Sequence, residues 1–134
     1  MEKIDGIVHE ETQKTDEGFD LTVSNIYVVE GAGRVDFGGG ELEDAEFAPV
    51  ETEKRNEDDD YGWWNLDAGT YAVEHNETLN FDEPVTVRTR TALLERGAFH
   101  PTVNVTRLPR IPLVVGGDGL RIKENARVST VVEG

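Results

Sequence analysis

The run Arg88-Thr89-Arg90-Thr91-Ala92-Leu93 carries the most suggestive chemistry in the sequence. An arginine leaving a strand, followed by small hydroxyl residues at a helix start, offers guanidinium donors and free backbone N–H groups to phosphate oxygens. That chemistry suits a polyphosphate. The competing reading is an exposed strand edge whose arginines balance an acidic molecule. A second constellation is His75-Asn76-Glu77, two potential metal ligands two apart and hence on one face of a strand, which His100 could join. Three ligands are not a signature, the paired His-x-His of a metal-binding jelly roll is absent, and both histidines sit beside turn residues. Surface polar residues are therefore the default reading there.

The elements that must position these residues read as strands. Period-two alternation and β-branched residues dominate, and no stretch of a dozen residues holds a 3.6 period. Phe19 to Val29 alternates with Leu21 and Val23 on one side. A short strand is expected at Ala45 to Val50, within a long acidic, solvated excursion over residues 31–60. Asp67-Ala68-Gly69-Thr70 is a turn into Tyr71 to Glu74, and Asn76-Glu77-Thr78 turns again before Leu79-Asn80-Phe81, which predicts a hairpin. Val85, Val87 and Thr89 share a face opposite Arg88 and Arg90. Thr91 to Arg96 has helix propensity but meets Gly97, so one or two turns is the limit. Strands follow at Thr102 to Thr106, Ile111 to Val115, Leu120 to Ile122 and Val128 to Val132. Many short strands with glycine turns predict an all-β barrel or sandwich, with at most one short helix.

Composition bounds the function. The 134 residues suffice for one domain with a core, so residues 1–134 are expected to form a single unit. With 28 acidic residues against 13 Lys and Arg, the formal charge is −15. Non-specific binding to a nucleic acid polymer, which needs cations to displace phosphate counterions, is thereby disfavoured. The acid is uneven: residues 1–60 hold 19 acids and 5 bases, residues 61–134 hold 9 and 8. An anion is tolerated only in the second half, among Arg88, Arg90, Arg96, Arg107, Arg110, Arg121, Lys123 and Arg127. Many carboxylates with few lysines fit a protein hydrated in concentrated salt, where the screening length falls to roughly 3 Å at 1 M. A halophilic cytoplasm is the expectation. Zero cysteines exclude a disulfide scaffold, a thiolate zinc site and a cysteine nucleophile. No long apolar run is present and Met1 leads into Glu2-Lys3-Ile4-Asp5, so neither a signal peptide nor a membrane association is expected.

In order and content these residues resemble the dUTPase and dCTP deaminase superfamily, most closely its short archaeal members. Gly18-Phe19-Asp20-Leu21 is similar to the family's first motif, whose aspartate faces a magnesium-triphosphate through water. Asp67-Ala68-Gly69-Thr70-Tyr71 resembles the turn opening its central hairpin. Arg90-Thr91-Ala92-Leu93 resembles the Arg-Ser-Ser-Leu phosphate motif, and Ala126 to Val132 its terminal strand. The resemblance covers residues 16–30 and 66–132. It implies a distorted β-barrel and a homotrimer with sites between subunits, a nucleotide bound by Arg90, Thr91, Ala92, Thr106 and Arg127, and Mg2+ held through water by Asp20.

The departures bear on catalysis. Where the family places its water-activating aspartate, the sequence runs Thr102-Val103-Asn104-Val105-Thr106-Arg107-Leu108-Pro109-Arg110, and neither Asn104 nor Thr106 takes a proton from water as an ionised aspartate does. The deaminase glutamate is absent from Pro112-Leu113-Val114-Val115. Ala92 replaces a serine, Thr130 a glutamine, and no glycine-rich arm follows Glu133-Gly134. Three readings follow: an enzyme acting on dUTP or dCTP, a non-catalytic trimeric structural or regulatory protein, and an unrelated jelly roll with an anion site. Trp63 and Trp64 are candidates for a subunit interface or a lid over the acidic loop, and only one of the pair can enter the core because neighbours on a strand face opposite ways.

Overall fold

The computed structural model describes residues 3–132. Its strands are β1 (Ile4–Asp5), β2 (Lys14–Thr15), β3 (Gly18–Gly31), β4 (Glu46–Pro49), β5 (Trp63–Leu66), β6 (Gly69–His75), β7 (Thr78–Leu79), β8 (Val85–Thr89), β9 (Ala98–Phe99), β10 (Val103–Val105), β11 (Ile111–Val115), β12 (Leu120–Lys123) and β13 (Arg127–Val132). Two one-turn helices accompany them, α1 (Glu10–Gln13) and α2 (Thr91–Leu94). The molecule is all-β, as the alternation predicts, and α1 is a second helical turn beyond the one expected. His9 starts it by accepting the Thr12 N–H on its side chain.

A nine-stranded antiparallel sheet runs β10-β8-β13-β3-β6-β11-β9, with β2 and β4 also paired to β3. β3 is the axis of the fold. Its first residues pair with β13, from Val23 it pairs with β6 across a bulge between Val23 and Asn25, and from Tyr27 it pairs with β4. Bulges bend a strand and raise its local twist, which curls this sheet into a half-barrel. Gly18 opens β3 at φ 144°, where a Cβ would collide with the Val131 carbonyl oxygen. The inward faces form two apolar clusters. One gathers Ile26, Val73, Ile111, Leu113 and Ile122, and the other Phe19, Leu21, Leu79, Val87 and Val131.

The hairpin expected between Tyr71–Glu74 and Leu79–Phe81 does not form. β6 pairs with β3 and β11, whereas β7 pairs with β1, so the two segments lie in different sheets. Residues 76 and 77 are not turn tips but anchors. The buried Glu77 carboxylate accepts from Thr22 N (2.8 Å), Thr22 Oγ1 (2.6 Å) and Gln13 Nε2 (2.8 Å), and Asn76 Nδ2 donates to Thr22 Oγ1 and Asn125 Oδ1. Gln13 is itself buried and spends its amide oxygen on the N–H groups of Val8 and His9. This polar lattice pins the N-terminal arm to β3.

The acidic excursion is tied to β3 by β4, the short strand expected at Ala45 to Val50, and is closed further at two points. Arg34 and Glu43 exchange backbone hydrogen bonds and an ion pair, and Glu53 exchanges 2.8 Å backbone bonds with Trp63. Trp64 enters the core with its Nε1 donating to Val50 O at 2.9 Å, while Trp63 lies outside, with Arg55 4.1 Å and Lys123 5.8 Å from its ring centroid. That split follows the alternation along β5.

The histidines correct the expectation of surface polar residues, because His75 and His100 are both buried. Each presents Nε2 to the Ser129 hydroxyl, at 2.8 and 2.7 Å, and among the described residues no three His, Asp or Glu side chains group to hold a metal. Burial drives His75 down to about 3, with His100 nearby adding to the shift, and burial also lowers His100. Unfolded histidine titrates near 6.5, so the native state resists protons that the unfolded state accepts. Stability from this pair is complete above pH 6.5 and is lost as pH falls below it.

In urea melts, stability is expected to fall as pH drops below 6.5, with a slope from His75 approaching about 1.4 kcal/mol per pH unit and His100 adding in the same direction, whereas a flat profile there would contradict their neutral burial. Glu77→Ala strands the Thr22 and Gln13 donors and costs on the order of 3 kcal/mol; a loss under 1 kcal/mol would mean water replaces the carboxylate.

Candidate functional site

The site is built where β3, β8 and β13 run side by side. Asp20 on β3 faces Thr130 on β13 in direct register, and its carboxylate is 5% exposed. A buried carboxylate must be met by donors and positive charge. Thr130 Oγ1 donates to Asp20 Oδ1 at 2.8 Å, and Arg127 Nη1 donates to Oδ2 at 3.1 Å. Arg90 completes the set with its Nε 3.7 Å from Oδ2 and its Nη1 donating to Arg127 O at 3.2 Å. Arg127 also reaches Thr12 O at 3.0 Å, so the N-terminal arm steadies it from behind.

Arg90 leaves β8 in extended conformation (φ −62°, ψ 137°) and caps α2 without a side-chain bond. Its own N–H donates to Val128 O at 3.0 Å, fixing the exit point on β13. The first amides of any helix lack an intrahelical acceptor. Thr91 and Ala92 carry such amides here, and both line the same cavity as Arg90, Arg127 and Asp20. That cavity has a volume of about 390 Å³. On the other side of the two guanidiniums lies a second cavity of about 300 Å³, bounded by Val8, Thr12 and Asn125. Arg90 and Arg127 thus form a wall between two clefts.

Electrostatics favour an anion at this wall. One carboxylate faces two guanidiniums, which leaves one positive charge without a partner in the group, and a guanidinium does not give up its proton in a protein. Burial and then the Arg127 charge lower Arg90 from its ordinary value, with Asp20 opposing them. A second anion would relieve the same repulsion. At the rim Glu17 is engaged by Arg88 at 3.3 Å, and Asp16 is exposed. Asp20 has a protein donor on each oxygen, so the residues present do not fit a magnesium ion bound directly to it.

The fold therefore brings together Asp20, Arg90, Thr91, Ala92 and Arg127. It does not bring Thr106. That residue follows β10 at the far edge of the sheet, where its carbonyl accepts from Phe81 N and Arg107 Nη1. Asn104, the other residue near the expected aspartate, accepts from Thr86 Oγ1 at 2.7 Å. Neither lines the Arg90 cavity. Sequence reasoning missed Thr130 as the partner of Asp20, and Gln13 and Thr12 as supports. For Thr130 the signal was the strand register, which places a hydroxyl across from a buried aspartate. For the other two no local pattern exists, because their partners are far along the chain.

No family model matches the chain. Comparison with known proteins does find relatives along most of its length. A probable deoxyuridine 5'-triphosphate nucleotidohydrolase of Methanosarcina acetivorans is 32% identical over 132 aligned residues, covering 93% of this chain and 74% of the relative. The protein of the same description from Methanosarcina mazei is 30% identical with the same coverage. That from Archaeoglobus fulgidus is 30% identical over 129 residues, covering 91% and 72%. Identity at that level across nearly the whole chain, on an all-β fold with the arginine, hydroxyl and aspartate positions assembled, places the protein in the deoxyuridine 5'-triphosphate nucleotidohydrolase (dUTPase) family.

Proposed function

We propose that the chain binds a deoxynucleoside triphosphate by its phosphates against Arg90 and Arg127, and that it turns the nucleotide over slowly. The observation that carries this reading is the pair of guanidiniums, Arg90 and Arg127, set on the single buried carboxylate of Asp20 beside the Thr91 and Ala92 amides in a cavity of about 390 Å³, with Asp16 and Glu17 at its rim. The relatives' descriptions supply dUTP as the first nucleotide to test. Asp20 serves as the buried counter-charge that sets both arginines, and magnesium carried by the triphosphate would supply charge neutralisation to the phosphates without a direct bond to Asp20. Ala92 contributes an amide without a hydroxyl, which weakens the phosphate cradle by one donor.

Slow turnover rests on the missing base. A positioned general base typically contributes 10²–10⁴-fold, and Asn104 and Thr106 supply none. Deamination is disfavoured further, since β11 offers Pro112, Leu113, Val114 and Val115 where a carboxylate would be needed. Thr106 meets a nucleotide only if the site is shared with a neighbouring subunit, as in a homotrimer. The charge of −15 supports a protein that needs concentrated salt to hold its acidic surface together.

The test uses the purified oligomer in molar KCl with magnesium and each of dUTP, dCTP and dTTP. We expect a melting shift with dUTP, pyrophosphate release at least about 100-fold below that of a dUTPase retaining its aspartate, and a melting midpoint that drops on transfer to dilute buffer. Arg90→Ala should weaken dUTP binding by about 30-fold or more, because a charge-assisted contact is lost. No shift with any nucleotide would favour the structural or regulatory reading. Fast hydrolysis by the wild type would show that a base comes from elsewhere.

A further inference from the structure

The alternation of β13 puts Ser129 on the opposite face from Thr130, so the serine lies behind the anion site rather than in it. Ser129 is completely buried, and both imidazoles converge on its oxygen. The direction of each bond can be fixed by elimination. His100 Nδ1 is 2.8 Å from Pro101 O, a carbonyl that only accepts, so Nδ1 carries the proton. Neutral His100 then offers a lone pair on Nε2, to which Ser129 O–H donates. The serine oxygen accepts in turn from His75 Nε2–H. This leaves His75 Nδ1 as a bare lone pair, and it is the one buried side-chain polar atom without a partner among the described residues.

Protonating either ring breaks this order. A proton on His75 Nδ1 is a buried donor facing no acceptor. One on His100 Nε2 forces the serine oxygen to accept from both rings and strands its own O–H. Few charges face the group: Glu74 precedes His75 on β6 and is spent on Asn25, Tyr27 and Arg110, and Arg88 on β8 lines the cavity of about 400 Å³ beside His100 but pairs with Glu17. β3 presents only Val23 opposite His75.

The relay is joined to the anion site at two neighbouring residues. Thr89 Oγ1 donates to His100 O and accepts from His100 N, both at 2.9 Å, and Thr89 immediately precedes Arg90. Ser129 pairs with Thr89 across β8 and β13 and immediately precedes Thr130, the donor to Asp20. We propose that His75, Ser129 and His100 form a positioning relay, complete only when both imidazoles are neutral, that sets Arg90 and Thr130 on Asp20 and so governs anion binding at the Arg90 cavity. The proposal rests on the functional reading of that cavity, and its test keeps the two apart.

Histidine ring nitrogens and the Arg90 Nη1–H that donates to Arg127 O are read by NMR in the nitrogen-15 labelled protein in high salt, wild type and Ser129→Ala, alongside titration with magnesium-dUTP. In the wild type we expect His100 protonated at Nδ1, His75 at Nε2, both neutral at pH 6, and an Arg90 Nη1–H protected from exchange. In Ser129→Ala the protection of Arg90 Nη1–H is lost and dUTP binds on the order of tenfold more weakly, while circular dichroism and the melting curve still report a folded protein. The opposite tautomers, a charged ring at pH 6, or an Arg90 signal unchanged in the folded variant would overturn the relay. If Ser129→Ala does not fold, the wild-type tautomers and the loss of Arg90 protection on acidification decide in its place. Wild type that binds no dUTP would refute the functional reading, and the Arg90 signal would still judge the relay.

Discussion

The organisation of this molecule follows from placing one carboxylate in the middle of a sheet. Asp20 lies on the strand that pairs with β2, β4, β6 and β13, and it is nearly shut off from water. An isolated buried charge is prohibitively costly, so the structure assembles its compensation from three directions: a hydroxyl from β13, a guanidinium from the start of that strand, and a second guanidinium from the end of β8. Those three groups also fix where β8 stops, where α2 begins and which way Arg90 points. The anion cavity is what remains in front of the compensated charge.

The surrounding polar lattice has the same logic. Glu77, Gln13 and Thr22 saturate one another, and Gln13 Nε2 also donates to the Asp20 backbone oxygen at 2.9 Å. Satisfied buried networks rigidify, because each member has a single good arrangement. This one flanks Asp20 on the side of the N-terminal arm, and the histidine pair behind β13 forms a second network, satisfied except at His75 Nδ1. The polyphosphate binding proposed for this site would gain from that stiffness, since less ordering would remain to be done on binding.

Much of the local structure was legible in the sequence, and the long-range structure was not. Ile111–Val115 shows alternating buried positions between turn residues, and Arg90-Thr91-Ala92-Leu93 shows a strand exit followed by helix formers stopped by glycine. These signals are local and the elements stand where they point. Asn76-Glu77 has the composition of a turn, yet its side chains are held by β3 residues more than fifty positions away. Composition cannot distinguish a turn from an anchor in that case. His75 and His100 likewise look like surface residues until β6, β13 and the segment after β9 converge on Ser129. In the candidate site the meeting of Arg90 and Asp20 follows the order of the motifs, whereas Thr130 required the register of β13, and Thr106 lies away from them within one chain, as sites shared between subunits would allow.

The central claim is that Asp20 acts by holding Arg90 and Arg127 in place, not by its charge alone. Calorimetric titration of Asp20→Asn with magnesium-dUTP separates these directly, since the substitution removes a negative charge from the cavity wall. If charge alone mattered, binding would tighten. If Asp20 orients the arginines, binding weakens, because both guanidiniums lose the group that fixes their direction, and this is the predicted result. Affinity that rises in a folded Asp20→Asn protein would contradict that role.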